Sequence, residues 1–154
     1  MNQISPDDIA WMQMAMDEAR DAAAHDEVPI GAVIVVGDRE IARAANRTIR
    51  DCDATAHAEI VALRAAAKSI GNYRLTDAAL YVTVEPCAMC AGAIIQARIA
   101  RVVYGADDAK GGAVRSCFRI LDDPQLNHRV EFTAGVLAEE SVALLQAFFG
   151  ARRL

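Results

Sequence analysis

The chain has 154 residues, 54% of them hydrophobic and 24% charged, with four Pro and four Cys. That length reads as one domain, residues 1–154, and can bury roughly 70% of its unfolded surface, so no disulfide staples are needed. No run of 18 apolar residues indicates a membrane span, and a net charge of −5, from 16 basic and 21 acidic residues, argues against a general nucleic-acid binder.

A local positive surface remains open to such a chain. Basic residues gather between Lys110 and Arg129 and in the closing GARRL. The opening MNQISPDDIAWMQ carries no basic run followed by an apolar one, so a cytoplasmic protein without a signal peptide is expected. In such a chain a C-x-x-C pair is a metal or redox motif more often than half of two disulfides.

Taken in chain order, Ser5-Pro6-Asp7-Asp8 has the capping residue, the proline and the acids of a helix start. Ile9, Met12, Met16, Ala19 and Ala23 continue with helical spacing to about Asp26, as a core stripe. IGAVIVV (30–36) is a buried strand, and Gly37-Asp38 turns it into a second strand over 39–46, forming a hairpin. HAEIVALRAAAKS (57–69) is helical, and ALYVTV (79–84) is a strand. AMCAGAIIQAR (88–98) is small and apolar nearly all round, which predicts a buried helix. RVVYG (101–105) gives a fourth strand, a short helix is expected near 115–121, and RVEFTAGV (129–136) gives a fifth strand. EESVALLQAFFGARR (139–153) closes the chain as a helix, acids first and arginines last. The pattern predicts an α/β fold, a three-layer α/β/α sandwich around a five-stranded mixed sheet. The long connection after the fourth strand lets the fifth run parallel to it.

His57, Cys87 and Cys90 carry the chemistry. One imidazole and two thiolates suit zinc, and three protein ligands leave a fourth position for water, the pattern of a catalytic rather than a closed structural site. Cys87 and Cys90 open a helix, where the positive dipole end favours thiolate. Glu59, two residues beyond His57, can stand beside that water without ligating the metal. Cys52 is the one thiol placed to close the site as a fourth ligand, though it reads more simply as a loop thiol. Cys117 reads as a small buried hydrophobe.

H-A-E at 57–59 followed by P-C-x-x-C at 86–90 is identified as the signature of zinc nucleobase deaminases. Across nearly its whole length the chain resembles the bacterial tRNA-specific adenosine deaminases of the cytidine-deaminase-like superfamily. The stretches that carry the resemblance are VPIGAV (28–33), TAHAEIVALR (55–64), NYRL (72–75), LYVTVEPCAMCAGAI (80–94), RVVYGADDAKGGA (101–113) and NHRVE (127–131). The resemblance implies one Zn²⁺ per subunit, a homodimer, and hydrolytic deamination of adenosine to inosine at the wobble position of a tRNA anticodon. It implies zinc ligation by His57, Cys87 and Cys90 and proton transfer by Glu59. Asn46 falls where the flipped nucleotide is contacted. Val28, Pro29 and Ile30 fall on the pocket wall, with Ala58 and Val84 also against the substrate. Asp107, Asp108 and Lys110 lie in the loop expected to flank neighbouring anticodon nucleotides. Ala54 stands where the family usually has Pro, and Val84 replaces the commoner Leu.

Some residues keep two readings. Asn46 by itself is a turn residue. Arg152 and Arg153 either complete the last helix or reach an RNA phosphate, and His128 either packs or touches RNA. Glu85 reads as a structural hydrogen-bonder before a second catalytic acid. Val142/Leu145/Phe149 and Leu144/Phe148 form two apolar stripes on the last helix, one for the core and one for a partner. Two other functions use parts of the same pattern: deamination of a free guanine- or cytosine-type base or nucleotide, and a non-enzymatic zinc-stabilised module. The second has no use for Glu59.

Overall fold

The structure, a computed structural model, describes residues 3–152. Its elements run α1 (Pro6–Ala24), β1 (Gly31–Val36), β2 (Arg39–Ala45), α2 (Ala58–Ile70), β3 (Ala78–Val84), α3 (Ala88–Gln96), β4 (Arg101–Ala106), β5 (Glu131–Thr133) and α4 (Ala138–Ala151). The sheet order is β2-β1-β3-β4-β5. β1 is antiparallel to β2 and β3, whereas β3, β4 and β5 are parallel. Alternation along the strands builds two cores. Ala32, Ile34, Leu80, Val82, Val102 and Tyr104 face α2 and α3. Val33, Val35, Tyr81 and Val103 face α1, and α4 packs on β4 and β3 beside α1. The three-layer mixed-sheet expectation therefore holds, and no helix among the described residues is long and apolar enough to cross a membrane.

The start of α1 follows from its first four residues. Ser5 Oγ accepts from the Asp8 N–H at 3.1 Å and Asp8 Oδ2 accepts from the Ser5 N–H at 3.0 Å, a reciprocal capping box. Asp8 does more than cap. Its buried carboxylate takes two bonds from the Arg101 guanidinium, at 2.9 and 3.0 Å, and one from the Tyr81 hydroxyl at 2.8 Å. Burial by itself would raise its pKa, but the bonds from Arg101, Ser5 and Tyr81 hold it down at about 2. Asp8→Asn should therefore destabilise the protein by about 3 kcal/mol, because the Arg101 charge stays half-buried without its partner. The depressed carboxylate stabilises above its ordinary value of 3.8, and that contribution disappears as pH falls through about 2. Denaturant melts of both proteins from pH 7 to pH 2 should converge toward the acid end.

The close approach of α1 to β1 depends on Gly31. A β-carbon there would stand 2.0 Å from the Ala15 carbonyl oxygen. Met12, Met16 and Ala19 are buried as the stripe predicts, while Ile9 stays exposed at the open first turn.

Four expectations need correction. No helix forms over 115–121, where the chain makes turns, because the N–H groups of Val114, Arg115 and Ser116 bind the Glu85 carboxylate. The fifth strand shortens to Glu131–Thr133, since Gly135 takes φ +86° and ends the pleat. α3 is not enclosed on all sides, because Ala88 and Met89 of its first turn are exposed. Cys117 is exposed too, and its thiol donates to the Ala109 carbonyl at 3.1 Å.

Candidate metal and catalytic site

Strand direction gathers the site. β1 begins where β2 and β3 end, with Gly31 opposite Ala45 and Ala32 opposite Val82. β4 ends beside β3, with Ala106 opposite Val84. One edge of the sheet thus collects the segment before β1 (Val28, Pro29, Ile30), the residue after β2 (Asn46), the turn after β3 (Glu85 to Cys87) and the loop after β4 (Asp107, Asp108, Lys110). Carboxyl ends of parallel strands are where open α/β sheets place ligands. The Asn46 N–H donates to the Ile30 carbonyl at 3.1 Å, and the Thr83 hydroxyl accepts from the Gly31 N–H at 3.2 Å.

Two helix starts meet there. His57 is the N-cap of α2 and Cys87 the N-cap of α3, both in extended backbone, and neither side chain caps its helix. Ser, Thr, Asp or Asn would normally satisfy a first-turn N–H at such positions. Here the side chains point to each other. His57 Nδ1 lies 3.6 Å from Cys87 Sγ and 3.5 Å from Cys90 Sγ. The three donor atoms lie within 4.8 Å of one another. With bonds of about 2.3 Å to sulfur and about 2.05 Å to nitrogen, an N···S edge of a tetrahedron around zinc spans about 3.6 Å. The donor set and its spacing fit a tetrahedral cation. Cys52 is not part of the group. It is exposed, and its thiol faces the Ile49 carbonyl at 3.7 Å.

The charges agree with that fit. Cys87 is drawn down to about 4 by its hydrogen bonds with Cys90 and His57. The hydrogen bond with Cys87, together with burial, pushes the Cys90 thiol up. The pair thus carries one negative charge and one shared proton, which a divalent cation would displace. The hydrogen bond to Cys87 raises the His57 pKa. Glu59 lies in the first turn of α2 and is 4% exposed. Burial, above all, raises its carboxyl to about 7, with the Cys87 charge adding to the rise. A carboxyl poised there can hold or release a proton near neutral pH.

Ala58 is buried in the first turn of α2 and Val84 is buried at the end of β3. Val28 and Ile30 are half-buried and Pro29 is buried. Asn46 is 6% exposed, which is unusual for a plain turn residue. Asp107 accepts from the Tyr104 hydroxyl at 2.7 Å and forms a two-pronged pair with Arg115 at 3.0 Å. Asp108 Oδ1 accepts from the Lys110 and Gly111 N–H groups, and the Lys110 side chain is exposed. Arg152 folds back on its own helix. It donates to the Phe148 carbonyl and to Asp26, and its guanidinium lies 3.5 Å from the Phe148 ring centroid. Arg153 lies outside the described residues. His128 Nε2 meets the Ile99 carbonyl at 2.8 Å, a packing role. At Ala54 the turn is held without proline, because Asp53 Oδ1 accepts from both the N–H and the hydroxyl of Thr55.

Sequence reasoning missed Glu27. Fully buried, it accepts from the Ile49 N–H at 3.0 Å and the Arg50 N–H at 2.7 Å, fastening the loop between Asn46 and His57 to the segment that carries Val28. The available signal was an acid directly before an apolar VPIGAV run. Glu85 is a structural acceptor as expected: burial would raise its pKa, but bonds from Ser116, Arg115 and Asp108 keep it below the ordinary value. A cavity of about 900 Å³ beside β5, lined by Arg129, Glu131 and Phe132 among others, includes none of the donor residues.

Comparison with known proteins gives a consistent picture. The family described as MafB19-like deaminase matches residues 6–153. A tRNA-specific adenosine deaminase of Agrobacterium fabrum is 50% identical over 144 residues, covering 94% of this chain and 95% of that protein. A solved structure from studies of A-to-I editing by tRNA:A34 deaminases at the wobble position superposes with a TM-score of 0.86 at 50% identity, covering 88% of this chain and 99% of that one. A guanine deaminase from Bacillus subtilis is more distant, at 33% identity and a TM-score of 0.64, covering 100% of this chain and 96% of that one. With half its residues shared along nearly the full length of such a relative, on the same fold, this chain belongs to the tRNA-specific adenosine deaminase family.

Proposed function

We propose that this protein is a zinc-dependent hydrolytic deaminase that converts adenosine to inosine at the wobble position of a tRNA anticodon. The observation that carries the reading is the buried Glu59 carboxyl in the first turn of the helix whose N-cap, His57, meets both thiols. A structural metal site has no need of that acid. His57 Nδ1 and the Cys87 and Cys90 thiolates would hold one zinc ion and leave its fourth position open.

Bound zinc supplies Lewis-acid activation of a water molecule. Glu59 handles the protons. It takes one from the attacking water and delivers it to adenine N1, which draws electron density away from C6 as the water oxygen adds there. The same carboxyl then takes the proton of the new C6 hydroxyl and passes it to the exocyclic amine, so that the C6–N6 bond breaks with loss of ammonia and the C6 carbonyl of inosine remains. One group serves as base and then acid, and a pKa raised to about 7 suits both roles. In this reading Asn46 orients the extruded base, and Val28, Pro29, Ile30, Ala58 and Val84 form the apolar surroundings of its pocket. A base must leave its stack to enter such a pocket, so a single-stranded anticodon loop is a cheaper substrate than a duplex. Asp107 and Asp108 shape the flanking loop from within, and Lys110 offers its ammonium to a phosphate. Arg152, at the end of α4, and Arg153, the next residue in the sequence, are the further basic residues this reading offers to a phosphate.

A tRNA substrate accords with a cytoplasmic protein, and a second copy of the chain is the expected partner for the open α4 stripe. Phe148 turns inward there, while Val142 and Phe149 are 41% and 43% exposed. Sedimentation at micromolar concentration should read twice the chain mass, and a monomer would remove the homodimer from the proposal.

The main test is incubation with an anticodon stem-loop carrying adenosine at the wobble position, and separately with free adenosine, guanine and cytosine. Nucleoside mass analysis should find inosine in the stem-loop. The likeness to a guanine deaminase gives the alternative its outcome: turnover of a free base alone would replace the RNA reading with the small-substrate one.

A further inference from the structure

We infer that Glu85 is a positioning residue that sets the loop over 107–116, and with it the surface met by nucleotides beside the target base. This rests on the RNA-deaminase reading for its kinetic consequence, though not for its structural one. Glu85 sits between the end of β3 and Cys87 and is 3% exposed. Its Oε2 accepts from the N–H groups of Val114, Arg115 and Ser116, at 3.0, 2.8 and 2.9 Å. Its Oε1 accepts from the Asp108 N–H at 3.0 Å and from the Ser116 hydroxyl. A carboxylate offers about four lone-pair sites, so five donors leave it no capacity to act as a second catalytic acid. The donors come from both ends of one loop, which the carboxylate draws together like a clasp.

The loop is fitted to that clasp. A β-carbon on Gly112 would stand 2.3 Å from the Glu85 carboxyl carbon, so only glycine lets the backbone pass. The same stretch is joined to the metal-bearing turn. Gly112 makes an isolated antiparallel bridge with Cys87, and the Ala113 N–H donates to the Pro86 carbonyl at 2.8 Å. Lys110 rides on this loop, and Asp107 is tied to it through Arg115. The position of these side chains relative to the zinc donors is therefore set by one buried carboxylate that never touches the reacting atoms.

Glu85→Gln tests this with little change of shape. Its amide nitrogen must face either the Asp108 N–H or the three N–H groups of Val114, Arg115 and Ser116, so at least one bond is lost, and the remaining bonds lose the negative charge that strengthened them. The expected result is a KM for the anticodon stem-loop raised about tenfold or more, kcat changed by less than about threefold, and metal content unchanged. Ser116→Ala, which removes only the hydroxyl donor, should raise KM by a smaller factor, and it serves if the Gln variant fails to fold. Amide exchange at Val114, Arg115 and Ser116 should quicken more than tenfold in Glu85→Gln while β3 and α3 keep their protection. Exchange is read without substrate, so it stands even if the wild type fails to deaminate the stem-loop and the functional reading falls. Unchanged exchange at those three amides would overturn the inference. So would a joint fall of kcat, metal content and melting temperature with KM unchanged, since that describes a residue needed only for folding.

Discussion

Glu59→Ala should keep its fold, its zinc and most of its stem-loop affinity, and should lose inosine formation by roughly a thousandfold, the scale of a general acid–base group. The reasoning is local. Glu59 occupies the first turn of α2 beside His57, buried where a group serving only to attract RNA would gain nothing. Glu59→Gln should match the alanine variant, since an amide of the same shape cannot move a proton. Single-turnover assays with metal occupancy measured alongside decide the matter, and a variant that kept a tenth of the wild-type rate would remove Glu59 from the proton path. Stability should move the other way. Its folded pKa of about 7 lies above the ordinary 4.5. Ionising this carboxyl therefore costs the fold progressively more as pH rises from 4.5 to 7, and the Gln variant is free of that cost. Chelator-treated Glu59→Gln should melt higher than chelator-treated wild type at pH 8 and show no advantage at pH 4.

Cys87→Ala should abolish zinc binding, and Cys52→Ala should leave it at one ion per chain. Removing one of three donors leaves an imidazole and a single thiol, too few for a tetrahedral site of this kind. Cys52 is exposed and turned to the Ile49 carbonyl, and it lies outside the donor group. Metal analysis of the two purified variants separates the cases. Equal loss of zinc from both would mean that the loop over 47–56 swings in to close the site, and an open catalytic position would no longer be available. Activity should follow the metal in each variant.

The donors were legible in the sequence because their chemistry lies in residue type and spacing. Few roles bring one imidazole and two thiols to two helix starts. The strands of the core were legible for a similar reason, since GAVIVV and ALYVTV leave little choice but a buried sheet. What the sequence concealed was the work of buried acids. Asp8 looked like a first-turn acid and Glu27 drew no assignment at all, because a carboxylate reads as surface until its donors are known. Those donors are far away along the chain: Arg101 for Asp8, and the backbone of Ile49 and Arg50 for Glu27. The missing helix over 115–121 has the same origin. Its N–H groups are claimed by Glu85, thirty residues upstream of Arg115, and no local propensity records such a long-range competitor. Cys117 was misplaced because thiol burial is a statistical habit, while this one lies on an outward turn held by the Ala109 carbonyl.

The spacing between the front helix and the sheet is set by a single hydrogen atom. Ala15 and Gly31 touch where any larger group would force α1 outward. A methyl at that point would displace the strand next to Ile30, and Ile30 is hydrogen-bonded to Asn46. A mutational map scored by editing would therefore mark Gly31 as intolerant, beside the residues proposed to handle the nucleotide, although its own part is to let α1 lie against β1. Read without the layer geometry, that map would draw the pocket one residue too deep.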